Sequence, residues 1–369
     1  MSTVVSVEVP VQSVDAAAYT VPTDAPEADG TLSWDSTTIV VVHVEAGGDV
    51  GVGYTYADES TATLIAGKLA GIVTGADALA PPAIWAEMVS ATRNLGRPGI
   101  VSMAISAVDT ALWDLKARLH DVALCTLLGQ VRSGVPLYGS GGFTSYPDER
   151  LAEQLAGWVE AGIPRVKMKV GSDPEADPGR AGRARVAIGD EADLFVDANG
   201  AYSRKQALQL ADRFREQAGV SWFEEPVSSD DLEGLRLLRD RGPAGMAIAA
   251  GEYGYDATYF ARMLSAGAVD VLQADVTRCG GITELIRVDG LCRGRQVPLS
   301  LHCGPAIHAH PATALDRLVH LEYFHDHVRI EGLLFDGLPE LREGCLVPDP
   351  ERPGNGLELK SADAERFAV

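Results

Sequence analysis

The stretch Arg165–Gly171, RVKMKVG, decides how this chain folds. Lys167 and Lys169 alternate with Val166, Met168 and Val170. In a strand, successive side chains point to opposite faces, so the two lysines share one face and the apolar residues the other. The flanking sequence alternates helical and strand patterns, and strands in such folds are usually buried on both faces. Two ammonium groups pointing side by side into an interior are unusual and call for a functional reason.

Working outward, short apolar runs recur at regular intervals. VPLYGS, RVKMKV, DLFVDAN, SWFEEP, MAIAAGE, VDVLQAD, VPLSLHC and LVHLEYF are separated by amphipathic helical stretches, mostly without hairpin signals. This rhythm predicts a parallel (β/α) barrel over residues 131–340. Ahead of it, residues 1–130 predict an α+β domain. TVVSVEVPV and TTIVVVHVEA are strand-like, and residues 58–130 are helical. The segment between those two strands, DAAAYTVPTDAPEADGTLSWDS, is rich in Asp and Pro and is expected to be a long polar loop of the kind that forms lids. The tail, 341–369, loses the barrel rhythm and is expected to pack back on the first domain.

Each barrel strand ends in a polar residue. Lys169, Asp197, Glu224, Glu252, Asp275, His302 and Glu322 follow one another at intervals of 28, 27, 28, 23, 27 and 20 residues. One βα unit of a barrel is roughly 30 residues long, and barrel chemistry sits at the C-terminal strand ends. A single acid at such a place is ordinarily a solvated loop residue, but seven in register are not explained that way.

Asp197, Glu224 and Glu252 would converge from adjacent strands and repel one another unless a cation lies between them. A donor set made only of oxygen favours Mg²⁺ over Zn²⁺. Asn199 shares the face of Asp197 and could either support the ligand set from behind or contact the substrate. Two adjacent lysines disfavour each other's charge, which predicts a lowered pKa suited to a general base. Asp275 is placed to fix the tautomer of His302. Glu225 is expected to face the other side of its strand.

Composition narrows the partners. The chain has 369 residues, 46% hydrophobic and 22% charged, with a net charge of −21. That balance suits a globular protein and disfavours nucleic acid and anionic membranes. Five cysteines without a CxxC pair point to a reducing compartment. The opening MSTVVSVEVP lacks signal-peptide character, and a cytoplasmic location is expected. His308 and His310, with Cys303 nearby, are spaced onto different helix faces, which disfavours zinc. His325 and His327 read as loop residues. No full nucleotide-binding glycine motif appears.

The ordered set KMK (167–169), DAN (197–199), EEP (224–226), GE (251–252) and the Asp275/His302 pair resembles the enolase superfamily, and within it the mandelate racemase subgroup. The resemblance spans essentially the whole chain. It implies a modified TIM barrel with an N-terminal α+β capping domain, completed by the C-terminal tail. It implies Asp197, Glu224 and Glu252 as Mg²⁺ ligands, Lys169 as a base, and Lys167 as a carboxylate-neutralising neighbour. His302 with Asp275 would act on the opposite face, and Glu322 would be a protonated hydrogen-bond donor to the substrate carboxylate. It implies a homo-oligomer and a small carboxylate substrate. Trp34, Tyr54 and Tyr56 lie in or near the expected capping loops and suit equally a wall of the binding site or the core of the capping domain. The implied chemistry is removal of a proton alpha to a carboxylate through an enediolate. Dehydration of an acid sugar to a 2-keto-3-deoxy acid is preferred. The alternatives are a 2-hydroxy-acid racemase or epimerase and a non-catalytic metal-binding homologue.

Overall fold

The computed structural model describes residues 8–369. The opening MSTVVSV, which holds most of the first expected strand and of the signal-peptide reading, lies outside the described residues.

The barrel forms because period-two alternation runs through every one of its strands. These are β4 (Val135–Gly141), β5 (Arg165–Lys169), β6 (Asp193–Asp197), β7 (Trp222–Glu224), β8 (Ala247–Ala250), β9 (Val271–Ala274), β10 (Leu299–Leu301) and β11 (Leu318–Phe324). They pair in sequence order, all parallel, and β11 pairs with β4 to close the ring. One face of each strand, including Val166, Met168, Leu194, Val196, Phe223 and Ile248, joins the large core shared with the outer helices. Full burial of such side chains contributes about 1.5–3 kcal/mol each.

The other face fills the barrel. Its lower layer is aromatic. Phe195 stacks on Trp222 at 5.2 Å, Tyr138 lies 5.5 Å from Phe195, and His320 lies 5.1 Å from Trp222. Two residues further along these strands, the side chains are polar. Register places Lys169 beside Asp197 and Asp197 beside Glu224, so those groups share one level. The aromatic layer is thus the floor of a polar chamber.

Ahead of the barrel, β1 (Ser13–Ala28), β2 (Ser33–Ala46) and β3 (Asp49–Tyr56) form an antiparallel sheet in sequence order. The segment expected to be a long loop is therefore mostly strand. β1 pairs with β2 from Ser13 to Pro22, and the register shifts between Pro22 and Glu27. Its small Ala residues hide the strand signal, and an outer strand tolerates Pro22. The helix Ile100–Leu119 lies on this sheet. Gly51 and Gly53 permit the close approach: a Cβ on either would stand 2.2 Å from the carbonyl oxygen of Ala111 or Ala107.

The tail touches both parts. The strand Cys345–Val347 pairs antiparallel with β4, and Asn355 bonds to Asp114 and to the Val52 carbonyl of the cap. Cap and barrel are also joined by buried hydrogen bonds, including Trp85 Nε1 to Gly280 O at 2.8 Å and Thr55 Oγ1 to Thr277 O at 2.8 Å. No helix among the described residues is long and apolar enough to cross a membrane.

Candidate active site

A cavity of about 510 Å³ lies between the C-terminal ends of the barrel strands and the cap. The barrel contributes Lys169, Asn199, Glu252, Arg278, His302 and Cys303 to its wall. The cap contributes Trp34 and Tyr56, among others.

Beneath it, ligand atoms of Asp197, Glu224 and Glu252 all lie within 4.8 Å of one another, and all three residues are buried. Their charge is offset by the two lysines. Lys167 Nζ is 2.6 Å from Glu224 Oε1, 2.8 Å from Glu322 Oε1 and 3.2 Å from Asp197 Oδ2. Lys169 Nζ is 2.5 Å from Asp197 Oδ2. Glu252 Oε2 is buried without a hydrogen bond. The acids outnumber the ammonium groups, and burial followed by the charge of Asp197 pushes the Glu224 carboxyl well up. Crowded, buried oxygen donors with an unsatisfied member fit a hard divalent cation such as Mg²⁺.

On the far side of the triad, His302 Nδ1 lies 2.8 Å from Asp275 Oδ2, and its Nε2 lies 3.4 Å from Glu252 Oε2. Asp275 is held below the ordinary carboxylate range. Burial opposes this, but the hydrogen bond and charge of His302 outweigh it. The pair is anchored further by Thr277, whose N–H and Oγ1 both donate to Asp275 Oδ1. The structure therefore brings Lys167, Lys169, Asp197, Glu224, Glu252, Asp275, His302 and Glu322 into one chamber.

Several expectations need correction. The two lysines do not depress each other enough to lower the Lys169 pKa. Burial and Lys167 act in that direction, but Asp197, Glu252 and Glu322 outweigh them and raise it. The expected protonation of Glu322 is likewise opposed by its neighbours. Burial favours the neutral acid, but Lys167, His302 and Lys169 hold its pKa well below the usual range. Each ammonium group has a carboxylate oxygen within 2.6 Å.

Tyr54 is not a wall residue. It is fully buried, donates to Glu331 Oε1 at 2.5 Å and accepts from Ile307 N at 3.1 Å. Tyr54→Phe should lower the melting temperature by several degrees, because it strips a buried carboxylate of its donor at a cost of about 1–3 kcal/mol. Its kcat/KM for any substrate should stay within about tenfold of the parent, since no side chain in the wall is altered. A larger loss of kcat/KM at unchanged stability would restore Tyr54 to the wall.

His325 and His327 open the helix His325–Leu334 rather than a loop. His327 is in the wall, stacked on Tyr56 at 3.4 Å, and accepts from Gly304 N at 3.1 Å. His308 and His310 are structural: they accept from Val276 N at 2.8 Å and Cys125 N at 3.2 Å. Glu225 sits where the chain turns out of β7 with φ of 38°, and burial followed by Glu252 raises its pKa well above normal.

Arg278 was not signalled by the strand pattern. It contacts Glu252 at 3.4 Å and Asp275 at 3.6 Å. Its place three residues after Asp275 was the available cue. Glu27 was also missed. It is buried under Trp34, accepts from Trp34 Nε1 at 2.8 Å, and burial followed by Asp326 pushes its carboxyl up to about 8.

Comparison with known proteins agrees with this geometry. Residues 14–129 match the mandelate racemase / muconate lactonizing enzyme N-terminal domain, and residues 150–364 match the enolase C-terminal domain-like family. The chain belongs to the enolase superfamily, in its mandelate racemase/muconate lactonizing enzyme-like group. A crystal structure of a mandelate racemase/muconate lactonizing enzyme-like protein from Rubrobacter xylanophilus is 60% identical, with a TM-score of 0.96, and the match covers 98% of this chain and 100% of that one. A 3,6-anhydro-alpha-L-galactonate cycloisomerase of Streptomyces coelicolor is 32% identical over 90% of this chain and 91% of its own length. An L-rhamnonate dehydratase of Saccharopolyspora erythraea is 36% identical over 87% of this chain and 83% of its own. The protein is an enzyme with the Mg²⁺-dependent lyase or isomerase chemistry of this superfamily.

Proposed function

We propose that the protein dehydrates an acid sugar to a 2-keto-3-deoxy acid. The observation that carries this reading is the placement of two proton-transfer groups on different sides of one carboxylate triad: Lys169 against Asp197, and His302 against Glu252. Mg²⁺ held by Asp197, Glu224 and Glu252 would bind the substrate carboxylate and offset the charge that builds on it.

Lys169 takes the proton from the α-carbon. This requires its ammonium to release Asp197 and lose a proton, which a divalent charge on the triad favours. Lys167, held between Glu224 and Glu322, stays charged and faces the developing negative charge. His302, oriented by Asp275, delivers a proton to the departing β-hydroxyl. The named acid-sugar activities of the cycloisomerase and the dehydratase support this substrate class.

The test is a library of aldonic and aldaric acids incubated with the enzyme and Mg²⁺, with 2-keto acid as the readout. A 2-keto product supports dehydration. Exchange of the α-proton in D₂O without keto acid would instead make the enzyme an epimerase, and absence of both from every acid sugar would reject the proposal.

A further inference from the structure

The cavity's charge is unevenly distributed. Among the described residues, its cationic wall groups Lys169 and Arg278 both lie at the barrel end and are engaged there, with Asp197 at 2.5 Å and with Glu252 and Asp275 at 3.4 and 3.6 Å. His327 adds no charge, because burial and then His302 hold its pKa well below normal. The cap end carries carboxylates instead. Asp29 and Asp58 both stand in the wall.

Backbone hydrogen bonds keep these two acids in place. Asp29 Oδ1 accepts from Thr31 N at 2.6 Å and Leu32 N at 2.7 Å, and Asp58 Oδ1 accepts from Ser60 N at 2.9 Å. Hydrogen bonds from Ser60 also hold the Asp58 pKa below its ordinary value. Arg150 and Arg329 are outside the wall and already pair with Asp24 and Asp326. A further wall atom, Asn199 Oδ1, is buried without a hydrogen bond. It is an acceptor suited to a hydroxyl donor and not to a carboxylate.

We infer that the substrate is a polyhydroxy acid with a single carboxylate, an aldonate, and that the cavity discriminates against the corresponding dicarboxylate, the aldarate. This rests on the dehydratase reading above. The first carboxylate would be met at the barrel end by the lysines and by the cation that Asp197, Glu224 and Glu252 would hold. A second, at the far end of the sugar chain, would stand near half-buried Asp29 and exposed Asp58 without a counter-charge, and like charges brought together are disfavoured. A terminal hydroxymethyl group has no such penalty and can donate to either acid.

The experiment compares aldonate and aldarate pairs of identical stereochemistry, such as gluconate with glucarate and galactonate with galactarate. It uses the Mg²⁺-loaded enzyme and the D29N/D58N double variant. Asparagine keeps the acceptor that each turn needs and removes the charge. The parent enzyme should favour the best aldonate over its aldarate by about 100-fold in kcat/KM, with calorimetric affinities in the same order. The ratio should fall to within about tenfold in D29N/D58N, and it should also shrink as salt is raised. An aldarate used as well as its aldonate, or a ratio unmoved by D29N/D58N, would overturn the inference and leave the dehydratase reading standing. Failure of both classes to give keto acid or α-proton exchange would reject the dehydratase reading, and the inference with it.

Discussion

Lys169→Ala should reduce formation of 2-keto acid by about 10²–10⁴-fold, the range expected when a positioned general base is removed. Exchange of the substrate α-proton in D₂O should fall in parallel, because the lost step is abstraction itself. The fold should survive. Lys169 sits at the mouth of the chamber, 6% exposed, and Lys167 remains 3.2 Å from the same Asp197 oxygen. His302→Asn provides the contrast. It removes the group assigned to the departing hydroxyl, so keto-acid formation should collapse by a similar factor while α-proton exchange through Lys169 persists. Measuring both rates in both variants separates the roles. Exchange that survives in Lys169→Ala and vanishes in His302→Asn would reverse the assignment, and parent-like rates in both would remove these residues from the chemistry.

The barrel and the convergence of its polar residues were legible because both follow from local rules. Period-two alternation puts Lys167, Lys169, Asp197 and Glu224 on the inner face, and a unit length of 20–28 residues brings the strand ends to one level. Charge states were not legible, because they depend on which neighbour a group meets. Lys167 alone has three carboxylates within 3.2 Å, so the expected lysine–lysine repulsion is the smaller effect. Depth was equally hidden. Tyr54 and Tyr56 share one strand face, yet Tyr56 reaches the cavity and Tyr54 is sealed behind it by Glu331 and Ile307. In β1, the run DAAAY has side chains too small to advertise which face is buried, although Ala18, Tyr19 and Val21 all are. Arg278 and Glu27 escaped because neither lies at a strand end of the barrel.

Glu252→Gln should abolish the response of the protein to Mg²⁺, in stability as well as in turnover. A ligand that binds only the folded state stabilises it by about 2.7 kcal/mol when present at 100 times its Kd, so titrating Mg²⁺ should raise the melting temperature of the parent enzyme measurably. Glu252 is the triad member least committed to the lysines. Its nearer partners are Arg278 at 3.4 Å and His302 at 3.4 Å, and its Oε2 has no hydrogen bond. Replacing it by glutamine removes one negative charge and one strong oxygen donor while keeping the shape of the side chain. Asp197 and Glu224 would remain, but both are already bound to lysine, and they would hold the cation far more weakly. The Mg²⁺-dependent rise in melting temperature should therefore disappear in Glu252→Gln at concentrations that saturate the parent, and keto-acid formation should fall by about 100-fold or more. The thermal readout does not depend on knowing the substrate. A full Mg²⁺-induced shift in Glu252→Gln would place the cation elsewhere, with the His302–Cys303–Glu322 cluster the next group to test, since its donor atoms also lie within 4.8 Å of one another. That cluster contains a thiol, and its preference would run to softer cations than Mg²⁺. A screen of Mg²⁺ against Zn²⁺ in the parent and in Glu252→Gln would therefore tell the two sites apart by which ion gives the shift.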